Sequence, residues 1–395
     1  MIGVEHTLMA LLLILGLGLV IPEFFRNRRF PFSIFLLIFG ALLGPFGLNY
    51  IQADSTIEFF GFLGSTFLMF MAGLEVKLDT LKRFGKDILI MAVSNGLVPF
   101  GVGLLISLMF GNSLITSLLI GTIFISSSVA IVSISLDATG LMHRKIGKAV
   151  LSATVIQDTV SLLLLSLILQ YTSGTSDHHI LTFSSILILS IVALKILVPF
   201  IAKRFLERGG KLKRESYEGE LRFVLIALML AALYFSSIGV HPIVASFIMG
   251  VLLSDIATSE RIRQKLHTIG YGLFIPVFFF VVGMEINVGL VFGLDPHNLF
   301  TVAIIIGLII SKVLSGYLSG RVVGFSGLEA SIFGVSSTVQ LTTTLAAVYA
   351  ANAVGLFDTV TTTSIILLSV FTTIVSPLLL SVMANKFKQI PADKL

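Results

Sequence analysis

The stretch Ser126–Val129 reads SSSV, and 210 positions later, at Ser336–Val339, the chain reads SSTV. Both copies lie near the middle of long apolar segments, where a run of hydroxyl side chains stands out. Two further pairs of similar segments share this offset: MAGLEV at Met71–Val76 with VVGMEI at Val281–Ile286, and GALLGP at Gly40–Pro45 with GVLLSD at Gly250–Asp255. Three matches in one register predict an internal repeat.

The composition around these segments is that of a membrane protein. Of 395 residues, 56% are hydrophobic and 12% are charged, and the mean hydropathy is +1.04. Soluble domains carry about twice this share of charge, roughly a quarter. The apolar runs are continuous rather than alternating, which excludes a membrane β-barrel and predicts an all-α polytopic protein. Cysteine is absent, so disulfides and thiol chemistry are excluded.

The apolar runs predict 13 transmembrane helices in a single transporter domain of residues 1–385, followed by a short tail of residues 386–395. The predicted spans are residues 5–25, 30–46, 55–77, 86–110, 113–136, 146–170, 179–202, 219–237, 241–257, 266–288, 298–320, 327–350 and 357–384.

The basic residues predict the orientation of these spans. Of the 26 lysines and arginines, all but Lys195 and Lys312 lie in or next to the loops that follow odd-numbered spans or in the C-terminal tail. The positive-inside rule makes this side cytoplasmic, so we expect an outside N-terminus and a cytoplasmic C-terminus in the cytoplasmic (inner) membrane. The net charge of +5 then follows from topology and needs no nucleic-acid partner.

An odd number of spans separates the two copies of each repeated segment, so the copies run through the membrane in opposite directions. This predicts inverted-topology repeats at about residues 30–170 and 240–384, an architecture of secondary transporters with a midplane site. Hydroxyl-rich stretches in paired spans favour two discontinuous helices, whose freed backbone groups they can satisfy. Ordinary Ser/Thr bonding between helices is the alternative. The residues concerned are Ser126, Ser127 and Ser128 in the first copy and Ser336, Ser337, Thr338 and Gln340 in the second.

Two ionisable residues lie deep in predicted spans. Asp158, in the pair Gln157-Asp158, is about 20 Å from the cytoplasmic start of its span at 1.5 Å per residue. A charge at that depth is unfavourable by about 2.5–3.5 kcal/mol, which favours a functional role. Lys312 lies near the bilayer midplane and is its candidate charge partner. A buried carboxylate near a cation can hold either a proton or a monovalent metal cation, and this competition is an antiport mechanism.

Other acidic residues point to structural roles. Glu75 and Glu285 are related by the repeat and lie near span ends, where we expect them to cap or satisfy backbone groups. The chain has no H-E-x-x-H, P-loop or G-x-S-x-G motif, so we expect a transporter without a cofactor and not an enzyme.

Several motifs resemble one transporter family. MAGLEV, SSVAIVS at 127–133, VIQDTVSLLLL at 155–165, FFFVVGMEI at 278–286 and SKVLSGYLSGRVVGFS at 311–326 resemble the bacterial cation:proton antiporters of the Kef and NapA type. The resemblance implies an NhaA/NapA-like fold with two crossed broken helices, a dimerisation unit, homodimers and an elevator-like motion. It also implies that Asp158 is the ion-binding aspartate and Lys312 the core lysine. Ser127 and Ser128 would lie in the first broken helix.

Three departures from that family shape the expected function. The residue before Asp158 is Gln157, as in the Kef type, where sodium-type relatives have a second acid. The second hydroxyl-rich stretch reads SSTVQLTTT and lacks an acid, and the sequence ends at Leu395 without the Kef nucleotide-binding domain. We therefore expect electroneutral exchange of protons for Na+ or K+, without nucleotide gating. An uncoupled cation permease on the same scaffold is the alternative.

Overall fold

A computed structural model describes residues 2–24, 32–75, 85–172, 185, 189–190, 192–197, 200–201, 217–254, 260–292 and 297–388. The described elements are helical and are numbered here in chain order. The first eight are α1 Ile2–Phe24, α2 Phe32–Leu43, α3 Ser55–Glu75, α4 Lys86–Met109, α5 Leu114–Ile125, α6 Val129–Ala138, α7 Lys145–Thr172 and α8 Tyr217–Ser237. The others are α9 Pro242–Leu253, α10 Glu260–Ile269, α11 Ile275–Met284, α12 Val288–Phe292, α13 His297–Val322, α14 Gly327–Ser336, α15 Thr342–Ala353 and α16 Thr359–Lys388.

Within the described residues, seven helical segments are long and apolar enough to cross a membrane. They are 55–74, 86–109, 114–138, 145–172, 262–284, 299–322 and 359–387. The fourth includes Asp158 and the sixth includes Lys312. Shorter apolar helices cover 7–20, 33–43, 221–237 and 242–253. The chain is therefore a multi-pass, all-helical membrane protein. Most of the predicted span 179–202 and the end of the predicted tail lie outside the described residues.

Local sequence signals set several helix ends. Ser326 and Glu329 form a capping box at the start of α14, in which each side chain bonds the other's backbone N–H. The Asp358 carboxylate accepts the Thr361 N–H at 2.8 Å and caps α16. Pro242 occupies the first turn of α9, where a missing N–H removes no helical bond. The predicted span 266–288 is not one regular helix, because a π-helical turn, Gly270–Phe274, joins α10 to α11.

The described chain divides into two compact units. The first consists of Met1–Phe24, Ala53–Asp79 and Ser166–Val281, and the second of Phe25–Gln52, Thr80–Leu165 and Val282–Leu395. In the first unit α3 packs against α9, and α9 also packs against α8. In the second, α4 packs against α5 and α13, α13 packs against α14, and α16 contacts both α14 and α15.

Glycines allow very close helix contacts in each unit. A Cβ atom added to Gly73 in α3 would lie 2.2 Å from the Phe247 carbonyl oxygen in α9. A Cβ atom added to Gly283 in α11 would lie 2.3 Å from the Leu37 carbonyl oxygen in α2. Gly73 and Gly283 are 210 positions apart, and so are their partners Leu37 and Phe247, which is the offset found in the sequence. The same contact thus occurs once in each unit, built from equivalent positions.

Candidate functional site

The site lies in the second unit, where two interrupted helices meet at their interruptions. α5 ends at Ile125 and α6 starts at Val129, with extended backbone at Ser126 and Ser128. α14 ends at Ser336 and α15 starts at Thr342. The Ser128 N–H donates to the Val339 carbonyl at 2.8 Å, and the Ser127 hydroxyl donates to the Ser337 carbonyl at 2.6 Å. Each interruption therefore satisfies backbone groups that the other leaves open.

Gln340 holds the two interruptions together. Its Nε2 donates to the Ser126 carbonyl at 2.6 Å, and its Oε1 accepts the Ser126 hydroxyl at 3.0 Å. Its backbone N–H donates to Thr372 Oγ1 at 3.2 Å, and its carbonyl accepts from Thr373 Oγ1 at 3.0 Å, both on α16. Its side chain is fully buried. Gln340, one of the predicted site residues of the second stretch, is thus bonded to the first stretch and to α16.

Asp158, on α7, is buried with 3% of its surface exposed. Its Oδ1 accepts the backbone N–H of Ser127 at 3.3 Å, just before α6 begins. The first N–H groups of a helix lack intrahelical partners and give that end a partial positive charge. The carboxylate is therefore tolerated at this depth because it faces the positive start of a broken helix.

Lys312, on α13, is completely buried and binds the opposite end of the same interruption. Its Nζ donates to the Ile125 carbonyl at 2.7 Å, at the C-terminus of α5, and to the Ser127 hydroxyl at 3.3 Å. The Asp158 carboxylate also attracts the Lys312 ammonium electrostatically. The ammonium therefore matches the partial negative charge of the α5 C-terminus, as the aspartate matches the positive start of α6.

Gln157 is bonded to α4. Its Nε2 donates to Asn95 Oδ1 at 3.0 Å and to the Ala92 carbonyl at 3.2 Å, and its Oε1 lies 3.4 Å from the Ser127 hydroxyl oxygen. Asn95 in turn donates to α13, through the Lys312 carbonyl at 2.7 Å and Ser315 Oγ at 3.0 Å. A hydrogen-bonded network therefore joins the aspartate helix, the lysine helix and α4.

Some hydroxyls at the site have no hydrogen-bond partner among the described residues. They include Thr154 Oγ1, Ser336 Oγ and Thr343 Oγ1, all buried. Thr154 lies four residues before Asp158, hence on the same face of α7 one turn away. By contrast, the Ser337 hydroxyl bonds the Gly334 carbonyl within its own helix, and Thr338 Oγ1 bonds Ser376 Oγ at 2.6 Å.

The structure thus brings together most of the predicted site residues. Asp158, Gln157 and Lys312 each contact Ser127, and the second stretch meets the first through the Ser337 carbonyl. The Ser128 hydroxyl lies 3.4 Å from Thr342 Oγ1. Glu285 follows the end of α11 and is exposed, whereas Glu75 ends α3 and its side chain lies outside the described residues.

Sequence reasoning missed Asn95 because it started from ionisable residues and hydroxyl runs and took in only the amides next to them, Gln157 and Gln340. The signal was present, since an amide side chain in the middle of the apolar segment 86–110 also needs partners away from water. It missed Thr372 and Thr373 for a different reason: α16 is rich in Thr and Ser, and no local pattern marks the two that bind Gln340.

Comparisons with known proteins identify the family of this site. A family model described as "Sodium/hydrogen exchanger, transmembrane" matches residues 9–386. A probable Na+/H+ antiporter 3 of Methanocaldococcus jannaschii is 34% identical over 370 residues, 93% of this chain and 94% of that protein. The Na+/H+ antiporter NhaS5 of Synechocystis is 30% identical over 385 residues, 95% of this chain and 54% of that protein.

A solved structure supports the fold. The sodium proton antiporter MjNhaP1 of Methanocaldococcus jannaschii superimposes with a TM-score of 0.73 over 98% of this chain and 100% of that chain, at 18% identity.

The expected assignment to the Kef and NapA type is corrected by these comparisons, which support the sodium/hydrogen exchanger family with an NhaP-like fold instead. The motifs behind that expectation carry the buried aspartate, the buried lysine and the interrupted helices. Those motifs alone did not tell the two types apart. The chain belongs to the sodium/hydrogen exchanger family, and its function is the proton-coupled exchange of monovalent cations.

Proposed function

We propose that Asp158 is the group that binds the proton and the cation in alternation. The observation that carries this proposal is the position of its carboxylate, buried and bonded to the Ser127 N–H where the two interruptions meet. Protonation or cation binding neutralises the carboxylate, and each excludes the other. While the site is open to one side of the membrane, a cation from that side thus displaces the proton, and the proton leaves to the same side.

The cation is proposed to be Na+, with K+ as the alternative. The relatives at 34% and 30% identity are both named as Na+/H+ antiporters. Carboxylate, hydroxyl and carbonyl oxygens suit hard cations. Asp158 supplies the carboxylate, and Thr154 supplies a buried hydroxyl that has no partner in the part of the chain that the structure describes. Ser127 and Ser128 line the first interruption beside them.

We propose a wider architecture for the chain as well. It has 13 membrane spans, and inverted repeats place the two broken helices in an NhaA/NapA-like crossing. The protein forms a homodimer in the lipid bilayer and works by elevator-type alternating access. The N-terminus would be outside and the C-terminus cytoplasmic, in the inner membrane. Contacts between positions 210 residues apart support the repeat: the Ser127 hydroxyl bonds the carbonyl of its own equivalent, Ser337.

A substitution tests the role of Asp158. In proteoliposomes with a pH-sensitive dye, Na+, K+, Li+ and Rb+ are added in turn to wild type and to Asp158→Asn. The amide keeps the size of the side chain and cannot titrate, so exchange with every cation is expected to stop. Asp87→Asn is the matched control, because Asp87 is exposed in the first turn of α4, and it is expected to exchange normally. Near wild-type exchange by Asp158→Asn would refute the proposal.

Tracer uptake into the same proteoliposomes separates exchange from an uncoupled permease. An exchanger moves protons only when a cation moves the other way, whereas a permease carries cations without proton counterflow. Cation uptake measured with a radioactive tracer at equal rates with and without a proton gradient would favour the permease.

A further inference from the structure

Asn95, in the middle of α4, connects the two helices that carry the charged residues of the site. Its side chain is completely buried. Nδ2 donates to the Lys312 carbonyl and to Ser315 Oγ, so both of its N–H groups reach one turn of α13. Oδ1 accepts Gln157 Nε2 from α7. The residue thus contacts the backbone of Lys312 and the side chain of Gln157, the neighbour of Asp158.

The contacts of Gln157 complete this connection. Both N–H groups of its amide are directed to α4, one to Asn95 Oδ1 and the other to the Ala92 carbonyl one turn earlier. Its Oε1 lies 3.4 Å from the Ser127 hydroxyl oxygen at the first interruption. Since an amide nitrogen does not coordinate a cation, the two groups of Gln157 that reach α4 can only position the helix.

We propose that Asn95 and Gln157 form an amide pair that positions Asp158 relative to Lys312 and thereby sets the affinity of the site for its cation. The inference rests on the proposed role of Asp158. Asn95 is a positioning residue that acts through α7 and α13. Removing a group that orients the ligands of a metal ion lowers the metal affinity or the activity by about 10-fold to 100-fold.

The pairing requires an amide at both positions. The side chain at 95 must donate to the Lys312 carbonyl and accept from Gln157 at the same time. Leucine has a similar volume and does neither, and aspartate accepts but cannot donate when ionised. The double variant Asn95→Gln with Gln157→Asn exchanges the two residues. It keeps both amides and the total number of methylene groups between α4 and α7.

The apparent KM for Na+ and the maximal rate of exchange, measured in proteoliposomes at fixed pH, test the proposal. We expect Asn95→Leu to raise the KM by about 10-fold or more. Asn95→Gln alone is expected to raise the KM as well, and the exchanged pair to recover at least half of that increase on a logarithmic scale. The control is Ser107→Ala, which removes a buried α4 bond, Ser117 Oγ to Ser107 Oγ at 2.8 Å, away from this network. It is expected to leave the KM within about twofold.

The proposal is overturned if Asn95→Leu changes the KM no more than Ser107→Ala does. If Asn95→Leu does not fold, the exchanged pair decides: a KM no better than that of Asn95→Gln alone rejects the amide pair. The two failures give different results. If the proposed function is wrong, Asp158→Asn still exchanges cations for protons. If only the amide pair is wrong, Asp158→Asn is inactive as expected.

Discussion

The response to membrane potential is the sharpest test of how this site couples its two substrates. In the pair Gln157-Asp158 only the carboxylate titrates, because an amide neither gains nor loses a proton at physiological pH. One proton exchanged for one monovalent cation moves no net charge. A second proton per cycle would move one charge, worth about 2.3 kcal/mol in a potential of 100 mV. At about 1.4 kcal/mol per factor of ten, the cation gradient that balances a fixed proton gradient would shift about 50-fold.

Lys312 is the group that could carry the second proton. Its ammonium is buried, bonds the Ile125 carbonyl and the Ser127 hydroxyl, and matches the negative end of α5. The loss of its proton would leave that helix end without a charge partner. We therefore expect Lys312 to keep its proton through the cycle and the balance point to be independent of potential.

The assay measures this balance point directly. Proteoliposomes hold a fixed pH difference, and external Na+ is varied until the net proton movement is zero, first at zero potential and then at about 100 mV set with K+ and valinomycin. Asp158→Asn liposomes report the leak. We expect the same balancing Na+ concentration at both potentials. A shift approaching 50-fold would refute one-for-one exchange and identify Lys312 as a second proton carrier.

Three further predictions follow from the contacts. Cysteine at Ser127 or Ser337, both buried here in a cysteine-free chain, is expected to react with small water-soluble thiol reagents only as the site opens, and saturating Na+ is expected to slow labelling at Ser127; inertness at both positions would favour packing alone. Gly73→Ala is expected to lower stability by about 1–3 kcal/mol because its Cβ would meet a backbone carbonyl at 2.2 Å, whereas Gly16→Ala, with no atom within 4 Å, serves as the control in the same thermal melt. Gln340→Leu is expected to lower stability by about 1–3 kcal/mol, since a buried carbonyl at the first interruption loses its donor; an unchanged melting temperature would contradict this.

Much of this protein follows from its sequence because the bilayer imposes simple rules. Long apolar runs must become helices, since every backbone group in hydrocarbon needs a partner within the protein. Asp158 and Lys312 stand out in such runs because a buried charge is unfavourable unless it is used or compensated. The likeness of Ser126–Val129 to Ser336–Val339 is visible because both stretches place a run of hydroxyl side chains before a valine.

The tertiary structure decided which polar groups meet. Asn95 and Lys312 are 217 positions apart, and Gln340 and Ser126 are 214 apart, so no local pattern relates them. Whether a buried amide reaches a neighbouring helix depends on the rotation of each helix about its axis and on how closely the backbones approach, as where Gly316 contacts Gly334. Those quantities result from the packing of all the helices in the unit together. The sequence therefore determined which residues needed partners in the membrane, and only the packed structure determined the partners, because a hydrogen bond depends on fractions of an ångström that hydropathy does not encode.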